Sequence, residues 1–392
     1  MHPLYAEAKS VFQYTQMIRR DLHRFPELGF QEVRTSGVVA KELRELNLEV
    51  KTGVAETGVV ALIEGAQAGP VILVRFDMDA LPIHEETGTD YASQNAGVMH
   101  ACGHDGHTAV GLTVARILQS HLEELNGTVK LVFQPAEEGL GGAERMVAEG
   151  VLRDPKPDIT LALHLWNERP VGWIGVCGGP TMAAAEIFKI RVTGKGGHGA
   201  VPDLTIDPIV VASSIVTSLQ SIVSRNVSPL KTAVVSVCSI HGGKAFNVIP
   251  SDAELSGTIR TFEPEVRDVV LDRFEHLVQG IARSYGCSVD IELKSITPAV
   301  INNPQIAAGV LNSALSIFPE KEIDQNFTTM GSEDMAFMMQ EIPGCYFFIG
   351  SANPQMGLSF PHHHPRFDID EESLPIAAAV MAGSILDFLK SR

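Results

Sequence analysis

Apolar residues recur at helical spacing through EAKSVFQYTQMIRRDLHRF, residues 7–25, and Pro26 stops the run. RTSGVVAKELRELN, residues 34–47, predicts a second helix. The period then shortens. TGVVALIEG and PVILVRF are brief apolar runs rich in β-branched residues, which predicts strands. HDGHTAVGLTVARILQSHLEEL predicts a helix ending at Asn126-Gly127. TVKLVF predicts a strand, GGAERMVAEGVL a helix and DITLALHLW another strand. Strands that alternate with helices form a mostly parallel sheet covered on both faces, because parallel neighbours need a crossover and the crossover is a helix.

A second unit begins near Ala184. EIFKIRVTG, TAVVSVCSI, AELSGTIRTF and SVDIELKSI predict four strands. DPIVVASSIVTSLQSIVSRN predicts a helix, and EPEVRDVVLDRFEHLVQGIARSYG a long amphipathic one with Pro264 in its first turn. The order, βαββαβ, is the ferredoxin-like pattern. After Pro298 the pattern of the first part returns. The predicted architecture is α/β: a mostly parallel-sheet domain built from residues 1–183 and 298–392, interrupted by an inserted ferredoxin-like domain at 184–297. A chain of 392 residues agrees with two or three domains of about 100–200 residues.

Composition narrows the partners. Lys and Arg number 30 against 47 Asp and Glu, a net charge of −17. A field of that sign repels phosphate, which argues against nucleic acid and anionic membrane surfaces. The longest weakly polar run, near residues 374–386, falls short of the ~18–20 residues of a membrane span. MHPLYAEAKS lacks a basic stretch followed by an apolar one, so no signal peptide is expected. Five scattered cysteines, at 102, 177, 238, 287 and 345, suit a reducing cytosol better than a disulfide scaffold.

In an open parallel sheet, ligands gather outside the carboxyl ends of the strands. VILVRF ends in Asp77-Met78-Asp79, TVKLVF runs through Gln134-Pro135-Ala136 into Glu137-Glu138, and LALHLW carries His164. Cys102 and His104 follow in HACGHDGHT, just before a helix; as a plain structural feature that segment is a small buried Cys with Asp105 as helix cap. One cysteine among histidines and carboxylates, without C-x-x-C pairs, suggests an open, catalytic metal site rather than a structural one. PHHHPRFDIDEE, residues 361–372, supplies a late imidazole, and spacing leaves open which His that is. Glu137-Glu138 divides naturally into one carboxylate that holds a metal and one that takes a proton. Gly194, Gly196 and Gly199 spell G-x-G-x-x-G, but AVPDLTIDP follows instead of a helix, which argues against a dinucleotide site.

RRDLHRFPELGFQE, RFDMDALPI, HACGHDGHT, FQPAEEG, GKGGHGAVP, AFNVIP, GTIRTF, GSEDMAF, PGCYFFIG and HHPRFDIDE occur in this order from about residue 17 to the C-terminus. With them the chain resembles the metal-dependent N-acyl-amino-acid amidohydrolases, the aminoacylase and carboxypeptidase group that includes hippurate hydrolase and indole-acetyl-amino-acid hydrolases. The resemblance implies a catalytic domain with two divalent metal ions and an inserted domain that dimerises. It implies that Cys102 bridges the ions, with His104, Glu138, His164 and His363 completing their shells and Glu137 as general base. Asp79 would orient an imidazole ligand, and Asp77 stays outside the shell. His198, from a partner subunit's inserted domain, would polarise the substrate carbonyl. Asn247 and Arg260 would contact the substrate's carbonyl and carboxylate. Met335, Gly199, Asp203 and His362 depart from the family's usual residues, which touches substrate preference rather than reaction class.

The expected activity is hydrolysis of the amide bond of N-acyl-L-amino acids, hippurate-like or N-acetylated, by a metal-activated water with Glu137 as base. The expected ions are Zn2+, Mn2+, Co2+ or Ni2+, and the expected assembly is a cytoplasmic homodimer or higher homo-oligomer. The rivals are a dipeptidase or carboxypeptidase using the same site, a non-catalytic binding protein on this fold, and a metal-storage protein.

Overall fold

The computed structural model describes residues 1–321 and 323–390. They divide into two compact units. The larger comprises Met1–Thr181, Ile301–Thr328 and Asp334–Arg392; the smaller comprises Met182–Val300 and Thr329–Glu333. The short pieces 182–183, 298–300 and 329–333 thus group with the smaller unit, outside the 184–297 drawn from sequence. Backbone pairing shows why for two of them: Ala183 N–H donates to Gly331 C=O at 2.9 Å, and Met182 bridges to Thr329.

The larger unit is built on an eight-stranded sheet. Its order is Val50–Val54, Gly58–Glu64, Asn126–Gln134, Gln67–Asp77, Ile159–Pro170, Gly344–Ala352, Ile174–Gly175, Ile323–Asp324. The four central strands are mutually parallel. The first two run antiparallel, and Ile174–Gly175 opposes Gly344–Ala352. The sheet is therefore mixed at its flanks and parallel where it is deepest. Every residue of Gly344–Ala352 is buried, as a central strand covered on both faces requires. Val50–Val54 escapes sequence reading because VKTGV is an edge with three consecutive exposed residues.

Helix boundaries moved in three places. The first predicted helix is two, Pro3–Ser10 and Phe12–Arg24, broken at Val11. The helix after Gly103 spans His104–Ser120 and gives way to a tight turn at Leu122–Glu124. The GGAERMVAEGVL run is helical only over Gly142–Ala148.

The membrane expectation also needs correction. Two helices, Pro208–Asn226 with 19 residues and Ser373–Lys390 with 18, are long and apolar enough to cross a membrane by length and composition. The tail helix extends past the weakly polar run of residues 374–386 at both ends. Its window is 83% buried, so its apolar surface goes into the core of the larger unit. Pro208–Asn226 turns one face, with Val211, Ala212, Ile215, Leu219 and Ile222, into the core of the smaller unit.

That smaller unit is a four-stranded antiparallel sheet, ordered Ala233–Gly242, Asp252–Thr261, Ala184–Thr193, Ser288–Thr297. Helices Pro208–Ser221 and Pro264–Ser284 pack on it through Val211, Ile215, Val270 and Phe274 against Phe188, Ile190 and Leu255. This is the ferredoxin-like βαββαβ arrangement.

Candidate metal centre

Parallel pairing sets Asp77 opposite Gln134 and Arg75 opposite Ala162, so three strands deliver their carboxyl ends side by side. The chain leaving them carries Asp79 and Glu137-Glu138, with His164 inside the third strand. Gly103, at φ 90°, turns the chain into the helix that His104 opens.

The cluster is tight. Ligand atoms of Cys102, His104 and His164 lie within 4.8 Å of one another. The same holds for Cys102, Glu138 and His363, and for His104, Glu137 and Glu138. Cys102 belongs to two of these sets, as a bridging thiolate would. All five expected ligands and the expected base come together, from segments as far apart in the chain as Cys102 and His363.

Neighbouring groups fix the donors. His104 Nδ1 lies 3.0 Å from the Asp79 carbonyl and 3.2 Å from Asp79 Oδ1, which leaves Nε2 for a ligand. The other Asp79 oxygen accepts the Glu138 N–H at 3.0 Å. One carboxylate thus orients a histidine and the acidic turn together. His164 Nδ1 lies 2.8 Å from the Leu165 carbonyl, and its Nε2 is 3.5 Å from Cys102 Sγ. Ala136 and His363 hold left-handed backbones, φ 56° and 64°, which non-glycine residues rarely adopt. His363 N–H donates to Ala101 C=O at 2.8 Å, which helps keep that conformation.

Burial and neighbouring charge perturb the thiol and the three imidazoles. Burial pushes the Cys102 thiol up, and the Glu138 charge adds to it. Burial opposes protonation of His104, but Asp77 and Cys102 outweigh it and raise the imidazole well above its usual range. Burial beside His107 and His362 holds His164 well below that range. The Cys102 thiol and the Glu138 carboxylate beside it raise His363 to about 10.

A metal fits this donor set. One Glu138 oxygen is buried and makes no hydrogen bond, with His363 Nε2 3.2 Å away. Two imidazoles present Nε2 with Nδ1 committed elsewhere, and a thiol stands between them. Asp77, His104 and His107 also approach within 4.8 Å, but that group is a hydrogen-bond chain. His107 Nδ1 is 2.6 Å from Asp77 Oδ1, its Nε2 accepts the Leu165 N–H at 2.9 Å, and Arg75 takes the other Asp77 oxygen at 2.7 Å.

The three substrate candidates lie in the smaller unit. Gly197–His198 pairs with Val248–Ile249, which brings His198 beside Asn247. Gly199 permits this: a Cβ there would stand 3.1 Å from the Asn247 backbone. His198 is exposed, and its Nδ1 accepts the Ala200 N–H at 3.0 Å. Arg260 is half-buried and donates to Ser332 Oγ at 2.9 Å. Burial disfavours its charged form, an effect that Glu186 partly offsets.

Sequence reasoning passed over Arg19, His23, Glu32 and His107, all buried. Arg19 and His23 carried a signal: both sit in the inward stripe Thr15, Ile18, Arg19, Leu22, His23 of an amphipathic helix. Asp105, allowed from sequence as a helix cap, caps nothing and faces Arg19 and His23 instead.

The profile of Peptidase family M20/M25/M40 matches residues 73–387. The chain belongs to this family. An N-acetylcysteine deacetylase of Bacillus subtilis is 40% identical, over 96% of this chain and 98% of its own. Thermostable carboxypeptidase 1 of Saccharolobus solfataricus is 37% identical over 96% and 95%. A crystal structure of a Bacillus subtilis dinuclear metal-binding peptidase of the family aligns with TM-score 0.86 and 36% identity, over 98% of this chain and 100% of that one. The chain is thus a member of a metal-dependent amidohydrolase and peptidase family, and its relatives include both deacetylases and carboxypeptidases.

Proposed function

We propose that the protein hydrolyses the amide bond of N-acyl-L-amino acids, acetylated or hippurate-like, releasing a carboxylic acid and a free amino acid. The observation that carries the reading is the juxtaposition of Glu137 with the thiol-centred cluster, its carboxylate lying within 4.8 Å of ligand atoms of His104 and Glu138. Cys102, His104, Glu138, His164 and His363 would hold two divalent cations, Zn2+, Mn2+, Co2+ or Ni2+, and Glu137 would serve as the proton acceptor. When bound, such ions polarise the scissile carbonyl and make water more acidic near neutral pH.

In this reading Glu137 takes a proton from water and returns it to the leaving nitrogen. Asp79 keeps His104 and Glu138 in place. His198 donates to the developing oxyanion, Asn247 contacts the substrate carbonyl, and the Arg260 guanidinium receives the free carboxylate. His198 would act on a neighbouring subunit in a homodimer or larger homo-oligomer formed through the smaller unit. The five free cysteines support a reducing, cytoplasmic setting.

A second reading, carboxypeptidase or dipeptidase, is favoured by the relative named thermostable carboxypeptidase 1 and uses the same residues. The test is metal-stripped protein, re-supplied with single divalent ions and assayed on hippurate, acetyl-amino acids, dipeptides and longer peptides. Turnover of acyl-amino acids restored by an ion supports the first reading, and preference for peptides moves the assignment to the second. Inactivity of fully metallated protein on every amide would remove both.

A further inference from the structure

The motif RRDLHRFPELGFQE carries much of the resemblance but has no part in the reaction above. We propose that residues 19–32 form a brace that sets the geometry of the metal centre, with Arg19 and Glu32 as its positioning residues. The inference rests on reading the Cys102 cluster as a metal site.

Arg19 is fully buried. Its Nε donates to Asp105 Oδ2 at 2.8 Å, and Asp105 is the residue after His104. Its Nη2 donates to Asp368 at 2.6 Å and its Nη1 to Glu371 at 3.2 Å, on the segment that follows His363. One planar fork therefore ties two ligand-bearing segments together. Tyr91 donates to the second Asp368 oxygen at 2.7 Å, and the His23 ring lies 2.8 Å from Asp105.

The far end of the motif meets the chain beside Asp79 and the segment that carries Glu137 and Glu138. Glu27 C=O accepts the Ala80 N–H at 2.8 Å, next to Asp79. Glu32, wholly buried, accepts the Ala136 N–H at 2.9 Å and the Thr57 hydroxyl at 2.5 Å. Ala136 is the left-handed residue that precedes Glu137 and Glu138. Gly29 lets the chain come this close: a Cβ there would lie 3.0 Å from Ala136 Cα. A buried guanidinium facing three carboxylates is a poor device for stability alone, since apolar packing does as well. It is a good device for fixing where backbone segments sit.

The test is titration of metal-stripped protein with Zn2+ against a chromophoric chelator, which reads stoichiometry and Kd without turnover. Glu32→Ala is expected to weaken retention of at least one ion about 10–100-fold, as loss of a group behind a ligand does. Glu32→Gln, which keeps an oxygen for the Ala136 N–H, is expected to recover most of it. Arg19→Gln is expected to behave like Glu32→Ala, with Arg19→Lys in its place if the first does not fold. Arg116→Gln removes a partly exposed contact with Glu42 at 2.8 Å, about three turns along the His104–Ser120 helix from its ligand end. It should lower Tm and leave Kd alone. Wild-type Kd in folded Glu32→Ala and Arg19→Lys overturns the brace, as does equal weakening in Arg116→Gln. Wild-type protein that takes up no ion overturns the metal centre itself.

Discussion

The metal-ligand cluster of the larger unit and the substrate candidates of the smaller unit are built to opposite specifications. In the cluster, Asp79 holds His104 and Glu138, the Leu165 carbonyl turns His164, and two left-handed residues are pinned through their N–H groups. In the smaller unit, His198 and Asn247 are exposed, and Arg260 has one hydroxyl partner. Groups that hold a cation must be oriented before it arrives, because a misplaced ligand loses affinity outright. Groups that meet a substrate are useful only if their hydrogen-bonding capacity is still free. One region is over-determined and the other left open, which is the division expected between holding a reagent and recognising a substrate.

The sharpest way to break this comparison is at Glu137, which sits inside the rigid region but is assigned no holding role. Glu137→Gln is expected to lower kcat on an acyl-amino acid by about 10²–10⁴-fold while the protein still binds its full complement of ions. Loss of an ion together with activity would move Glu137 into the ligand set. Unchanged kcat would place the base elsewhere.

The open region gives the next largest effect. His198→Ala is expected to cost about 10²–10³ in kcat, the size of losing one oxyanion donor, with metal Kd and Tm unaltered. Activity assays paired with the chelator titration read all three. A His198→Ala protein with weakened metal binding would contradict the division of labour between the units.

The sequence made the over-determined region partly legible. Asp79, Glu137-Glu138 and His164 announce themselves because polar residues at strand ends break an apolar run, and the parallel sheet brings such ends together. The groups behind them did not. Arg19 and His23 fall in the apolar stripe of their helix, yet their partners Asp105, Asp368, Glu371 and Glu85 lie far off in the chain, so the pairing is a tertiary fact. Nothing in the residue type of Ala136 or His363 signals a left-handed backbone. The strand Val50–Val54 is an exposed edge without the alternation that betrays a half-buried strand. In the smaller unit the order βαββαβ was readable because each strand and helix has its own period. The placement of His198 beside Asn247 was not, since it depends on a two-residue pairing between distant loops.

The smallest expected effect tests whether the rigidity of the larger unit is electrostatic. His23 is fully buried, 2.8 Å from Asp105 and 3.3 Å from Glu85, with Arg19, Tyr91 and His100 also facing it. Burial opposes its protonation, but Asp105 and Glu85 outweigh burial and Arg19 and raise its pKa to about 9. The folded protein therefore binds more protons than the unfolded chain between the ordinary histidine value, about 6.5, and about 9. The resulting stability is complete below about 6.5, falls as pH rises through that window, and is gone above it. Its size is about 3 kcal/mol, at about 1.4 kcal/mol for each tenfold change in proton affinity. Urea midpoints of metal-free protein across this range should decline with pH, and His23→Gln should flatten that decline. An equally steep decline in His23→Gln would mean that Asp105 is held by Arg19 alone, and that the brace owes its rigidity to one cation rather than two.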